Sequence, residues 1–284
     1  MTHRELLIAL AATERIHRTA LCRLAADPDA WQHLSVGQSL EPTACRLGVP
    51  TKQLRRALEI RNQAPRLAAR EVRRAERRDC RLITRFDEAY PSALLDLHLP
   101  PPLLYCRGSL SDQPAIAMVG SRRMDDYGKR AARLFAERLA GAGVTVVSGF
   151  ARGIDTTAHR AALDAGGSTV AVLGCGIDID YPSGNAPLAA EIRHHGAILS
   201  EFPFGCEPRA WRFPVRNRVI AALSLGTLVI QAAIKSGSLI TAHHALDLGR
   251  DVYAVPGRIF DPSAAGTNAL IADGALPAHR PRDI

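Results

Sequence analysis

The six cysteines of this chain, Cys22, Cys45, Cys80, Cys106, Cys175 and Cys206, never fall into a Cys-x-x-Cys pair. That argues against zinc knuckles, thioredoxin-type chemistry and a secreted disulfide scaffold, and it leaves reduced, buried thiols. No stretch reaches the roughly 18 apolar residues that cross a bilayer. The opening run Met1–Ala12 breaks at Thr13-Glu14-Arg15 without a small-residue cleavage site, so it reads as a helix start rather than a secretion signal. The expected compartment is the cytoplasm, with no membrane contact. Aromatic residues make up only 5% of the chain, too few for a row of base-stacking platforms.

Several catalytic loops are also missing. There is no Gly-x-x-x-x-Gly-Lys-Ser/Thr phosphate loop, no Gly-x-Gly-x-x-Gly turn with a following ribose-binding acid, and no Gly-x-Ser-x-Gly elbow. An NTPase, an NAD enzyme and an α/β-hydrolase are thereby disfavoured. His194-His195 and His243-His244 are adjacent pairs whose side chains diverge on a helix, and Asp178 and Asp180 sit in a glycine-containing loop where they serve turn backbone. Neither set argues for a metal, and no cofactor is expected.

What the chain has in excess is positive charge. Its formal net charge is +8 over 284 residues. Between Lys52 and Arg85 stand twelve Lys or Arg against four acids, Glu59, Glu71, Glu76 and Asp79, so this segment carries the whole excess. Such a segment attracts nucleic acid, or it is a solvated helix in which Arg70, Arg73, Arg74, Arg77, Arg78 and Arg81 follow i, i+3, i+4 spacing beside Glu71 and Glu76.

Residues 1–80 are rich in Ala, Leu and Arg, with apolar residues at helical spacing, and are punctuated at Asp27-Pro28, Gly37 and Gly48-Val49-Pro50. They read as a small all-α domain of short helices, similar in character to a helix-hairpin-helix or sterile-alpha-motif module. A proline-rich approach, Pro91–Pro102, leads to the apolar run Leu103–Cys106, read as an edge strand. From there the apolar runs at 115–119, 144–147, 169–173, 197–199, 227–230 and 252–255 alternate with helical stretches at 129–140, 156–165 and 239–248. Continuous apolar strands separated by helices predict a parallel sheet covered on both faces, a Rossmann-like doubly wound α/β domain over 81–284.

In such sheets ligands lie at the carboxyl ends of the strands. Those ends carry Gly120-Ser-Arg-Arg123, Ser148-Gly-Phe-Ala-Arg-Gly-Ile-Asp155, the stretch Arg209–Arg218 and Lys235-Ser-Gly-Ser238. Glycines let backbone approach an anion, helix N-termini offer N–H groups, and guanidinium groups grip phosphate in pairs of hydrogen bonds. The other reading of Gly149 and Gly153 is that they only turn the strand into the helix. Lys235 with Ser236 and Ser238 also fits a Ser/Lys hydrolase, but phosphate binding accounts for the lysine and both serines together. His159, one turn beyond Asp155, is placed to pair with it.

Taken in chain order, these motifs resemble the DNA-processing protein A family (DprA, also called Smf) from about residue 86 to 276. The likeness rests on Val119–Arg122, Ser148–Asp155 with His159, Ala171–Asp178 with Tyr181-Pro182 and Asn185, Ser200–Pro203, Phe213–Arg218, Lys235–Thr241, Val255–Gly257 and Gly266–Asn268. The resemblance implies a single-stranded DNA-binding protein that forms a homodimer and helps load the recombinase RecA in natural transformation, with no chemical step. It places the strand-binding pocket on Arg122, on Ser148, Gly149, Phe150, Ala151, Arg152 and Gly153, on Arg216 and Arg218, and on Lys235, Ser236, Gly237 and Ser238. The chain departs from the family at Val215, where a basic residue is common, and at Gln231, where an acid is. Many members carry a C-terminal winged helix; none is expected here, since the chain stops at Ile284. Two alternatives stay open: a nucleotide phosphoribohydrolase-like enzyme of the lysine-decarboxylase-like group, and a duplex-binding architectural protein that uses the Arg-rich helices. The enzyme's Pro-Gly-Gly-x-Gly-Thr-x-x-Glu signature is missing, because the comparable strand end reads Ile230-Gln-Ala-Ala-Ile-Lys235.

Overall fold

The computed structural model describes residues 1–36 and 40–284; the break expected at Gly37 lies outside the described residues. The chain forms two compact units, one of Met1–Cys106 with Glu201–Phe204 and one of Arg107–Ser200 with Gly205–Ile284.

The first unit is mainly helical: α1 (His3–Thr13), α2 (Arg18–Ala26), α3 (Pro28–Val36), α4 (Leu40–Leu47), α5 (Thr51–Arg61) and α6 (Ala64–Glu76). A capping box starts α1. Thr2 Oγ1 accepts from the Glu5 N–H at 3.1 Å, and the Thr2 N–H donates to the Glu5 carboxylate at 2.6 Å, which satisfies two otherwise unpaired donors. Leu6, Leu7, Ile8 and Leu10 are all buried, so α1 is enclosed rather than amphipathic. Trp31, Leu34, Leu54 and Ile60 belong to the same core. After α6 come β1 (Arg81–Thr84) and β2 (Leu103–Gly108), paired antiparallel. The run Pro100–Pro102, which can continue neither helix nor ladder, sets the start of β2.

The second unit alternates strand and helix: β3 (Ala115–Val119), α7 (Asp126–Gly141), β4 (Thr145–Ser148), α8 (Ile154–Asp164), β5 (Thr169–Leu173), α9 (Ala186–His195), β6 (Ala197–Ser200), α10 (Arg212–Ala222), β7 (Gly226–Val229), α11 (Ser238–Asp247), β8 (Asp251–Ala254), α12 (Ala265–Ala272) and β9 (Leu276–Pro277). Its seven strands run parallel in the order β6-β5-β4-β3-β7-β8-β9. From β3 the chain steps outward to β6, returns to place β7 on the other side of β3, and steps outward again. This is the doubly wound, Rossmann-like arrangement that the sequence predicts. Ala132, Phe135, Ala136, Ala158 and Ala162 of α7 and α8 pack on Ile116, Met118, Val146, Leu228 and Ile230. The alternate strand residues face the layer formed by α10 and α11, which pack on each other.

All six expected strands of this unit are present. The stretch Arg209–Arg218, expected as a loop, is helical from Arg212 onward. Pro214 does not stop α10, because it falls in the first turn, where its missing N–H has no intrahelical partner to lose. Among the described residues no helix is long and apolar enough to cross a membrane.

Candidate nucleic-acid interface

The strand order reverses between β3 and β7, and the loops that leave these two strands diverge there, opening the crevice in which doubly wound sheets take ligands. The crevice has a volume of about 750 Å³. One wall is the loop after β3, with Gly120, Ser121, Arg122 and Arg123; the other is the loop after β7, with Lys235, Ser236, Gly237 and Ser238; α10 supplies Phe213, Arg216 and Asn217.

The exposed cations at its mouth are Arg122, Arg123 and Lys235. The Arg122 guanidinium lies 5.1 Å from the centre of the Phe213 ring, and Tyr181 lies 5.5 Å from that ring at an interplanar angle of 34°. This forms a cationic and aromatic wall. Opposite it, Ser236 Oγ and Ser238 Oγ are 2.8 Å apart, just where α11 begins, at an N-cap, Gly237, that has no side chain to cap the helix. Hydroxyls, a helix N-terminus and a lysine together favour an anion.

The floor of the crevice is built differently. Arg216 is buried and makes its bonds inward: Nη1 donates to the Gly149 carbonyl at 2.7 Å and to the Val172 carbonyl, and Nε donates to Asn217 Oδ1 at 3.1 Å. Asp155 is its buried counter-charge. Burial raises the Asp155 carboxyl to about 6, against the pull of Arg216. Burial likewise lowers the Arg216 guanidinium to about 10, with Asp155 opposing, so both are charged at neutral pH. His159 does not pair with Asp155 in the way the spacing suggests. Its Nδ1 lies 2.7 Å from Thr169 Oγ1, whose own proton goes to the Val146 carbonyl at 2.6 Å. His159 Nδ1 therefore donates, and burial, with Arg216 adding to it, lowers the imidazole to about 3.

The thirteen residues singled out from the sequence divide accordingly. Arg122, Ala151, Arg216, Lys235, Ser236, Gly237 and Ser238 line the crevice. Ser148, Gly149, Phe150, Arg152, Gly153 and Arg218 do not. Ser148 Oγ donates to the Met118 carbonyl at 2.6 Å inside the sheet. Phe150, at φ 60°, is buried 5.9 Å from the His159 ring. Arg152 is exposed and does not line the crevice, and Arg218 is half-buried near His244, whose charged form is disfavoured first by burial and then by this neighbouring charge. The glycines are dictated by protein atoms. A Cβ at Gly149 would lie 2.6 Å from Arg216 Nη2 and 2.7 Å from Asp155 Oδ2, and one at Gly153, at φ 84°, would strike the Ser121 carbonyl.

Sequence reasoning missed the role of Gln231. Its carbonyl accepts from the Ser121 N–H at 2.8 Å, Oε1 accepts from the Asp125 N–H at 3.3 Å, and Nε2 donates to Ser263 Oγ at 2.8 Å. A side chain that both donates and accepts thus ties the wall after β3 to β7; a carboxylate could do only the accepting half. The signal was present as the departure at 231, but not its partners.

The family described as DNA recombination-mediator protein A matches residues 81–284. The chain belongs to this family. Protein Smf of Escherichia coli (strain K12) is 46% identical over 206 residues, which are 72% of this chain and 55% of Smf, so the chain spans about half the length of that relative. DNA processing protein DprA of Bacillus subtilis (strain 168) is 41% identical over 198 residues, 69% of this chain and 67% of the relative. Among solved structures, DNA processing protein A from Streptococcus pneumoniae superposes with a TM-score of 0.85 at 31% identity, over 100% of this chain and 97% of the other. That from Helicobacter pylori, described for its single-stranded DNA binding mode, gives 0.66 at 33% identity over 72% and 93%. The family's matched residues contain both walls of the crevice and its buried floor.

Proposed function

We propose that this chain binds single-stranded DNA in the crevice between β3 and β7, holding backbone phosphate between Arg122 and the Lys235–Ser238 turn. The observation that carries this reading is the convergence of those two cationic loops at the switch point, in a family whose Helicobacter pylori member is described by its single-stranded DNA binding. No bond is made or broken in the proposed role. The bound strand is protected and passed to the recombinase RecA during DNA uptake and recombination, with the chain acting as a homodimer. The helical segment 1–80 is proposed as a separate small domain, and 81–284 as the DNA-binding one.

In this role Arg122 and Lys235 meet phosphate directly, and Arg216 supports the floor. Each phosphate neutralised on a single strand releases counterion, contributing about −0.7 to the slope of log affinity against log salt. Titration of fluorescent poly-dT should therefore show Lys235→Ala and Arg122→Ala weaker than the parent, each with a slope shallower by about 0.7. Parent-like affinity and slope in both variants would remove the crevice from consideration.

A further inference from the structure

Helix α6 and the turn that ends it carry two sets of arginines. Arg74 and Arg78 turn back onto their own unit, with guanidinium groups 4.9 and 5.4 Å from the centre of the Phe204 ring. Glu71 is turned inward as well: it is buried, accepts from the Tyr105 hydroxyl at 2.9 Å and stands 4.0 Å from Arg74. One of the helix's two acids is thus spent inside the fold, while the other, Glu76, is exposed. Arg66, Arg70, Arg73 and Arg77 are exposed, and they make no ion pair or side-chain hydrogen bond with any described residue.

At 3.6 residues per turn, positions 66, 70, 73 and 77 fall within about 60° of one another around the axis and span about 16 Å along it. They form a single row, opposite the buried face of Ala64, Ala68, Glu71 and Ala75. The row costs the helix stability. Neighbours at i, i+3 and i, i+4 carry like charge, and Arg66 stands in the first turn, where the helix dipole disfavours a cation. At the other end the dipole favours Arg73, and Glu76 is exposed three residues from it, but among the described residues no acid pairs with the row, which leaves it open to an anionic partner from outside. About 16 Å of duplex axis carries roughly nine phosphate charges, more than four arginines engage. The exposed face of α6 offers no aromatic side chain on which an unpaired base could stack, which suits a partner that presents only phosphates.

We propose that Arg66, Arg70, Arg73 and Arg77 form a docking row for the backbone of double-stranded DNA, separate from the single-strand crevice. The row lies outside the residues matched by the family and does not depend on the reading of the crevice.

The test titrates full-length chain with a fluorescent duplex and with poly-dT of equal nucleotide length. Two variants are compared with the parent: one with all four arginines changed to Gln, which keeps helix propensity, and one with all four changed to Lys. Helicity by circular dichroism confirms that both fold. In the Gln variant duplex affinity drops at least about tenfold and the log–log salt slope becomes shallower by about 3 to 4, while the Lys variant keeps both. Poly-dT affinity changes by less than about twofold, whereas Lys235→Ala shows the reverse pattern. Unchanged duplex affinity in the Gln variant overturns the proposal, as does a parent chain that does not bind duplex. A parallel loss of poly-dT binding also overturns it, by assigning the row to single strands. Failure of the crevice reading would show separately, as poly-dT binding indifferent to Lys235.

Discussion

Arg216 shows how one residue can look like a ligand in the sequence and behave as a fixture in the structure. Three of its five N–H donors are committed to Gly149, Val172 and Asn217, and its charge is offset by Asp155. Replacing it with Met would leave a buried carboxylate unpaired, a loss of about 3 kcal/mol in a urea titration at neutral pH. The salt slope for poly-dT should stay at the parent value even as affinity falls, unlike the slope for Lys235→Ala. A slope shallower by a full contact would mean that Arg216 meets phosphate after all. The buried pair also makes a statement about pH. Asp155, raised from 3.8 to about 6, contributes stability that is full below pH 3.8 and lost as pH rises through about 6. His159, lowered from 6.5 to about 3, contributes stability that is full above pH 6.5 and lost as pH falls toward 3. Between about pH 4 and pH 6 the two slopes, each about 1.4 kcal/mol per pH unit, oppose one another and nearly cancel. Urea midpoints across that window should fall with acidification in Asp155→Asn and rise in His159→Gln. Identical pH profiles in both variants would sink the assignment.

At the level of elements, the strands of the second unit were legible because a sheet covered on both faces leaves continuous apolar runs, as at Ala115–Val119 and Thr169–Leu173. Helices α7, α8 and α11 were legible from their apolar spacing. Helix α10 was not: Arg212, Arg216 and Asn217 are polar yet buried, so hydrophobic period gives no sign of a helix whose inner face is built around a guanidinium. The glycine-rich loop after β4 misleads for a related reason. In sequence it looks like an opening for a ligand, whereas Gly149 makes room for Arg216 and Gly153 for the loop after β3. A pattern of small residues records a close approach without saying what approaches. The row on α6 was half legible, since spacing alone cannot separate Arg74 and Arg78, held over Phe204, from the four that face outward.

For the whole molecule, the sequence located the positive charge and the strand ends but could not pair β3 with β7, because adjacency in a sheet is set by crossovers rather than by local preference. That pairing has a mechanical consequence. The register Met118↔Leu228 and Val119↔Val229 is a seam: on one side the chain steps to β6 and on the other to β9. A strand gripped by Arg122 on one bank and Lys235 on the other would bridge that seam like a suture. Amide protons of β3 and β7 should then exchange more slowly with deuterium when poly-dT is bound, while those of β9 at the sheet's rim keep their pace. Equal slowing everywhere would indicate general stabilisation, and no slowing at the seam would place the strand elsewhere on the surface.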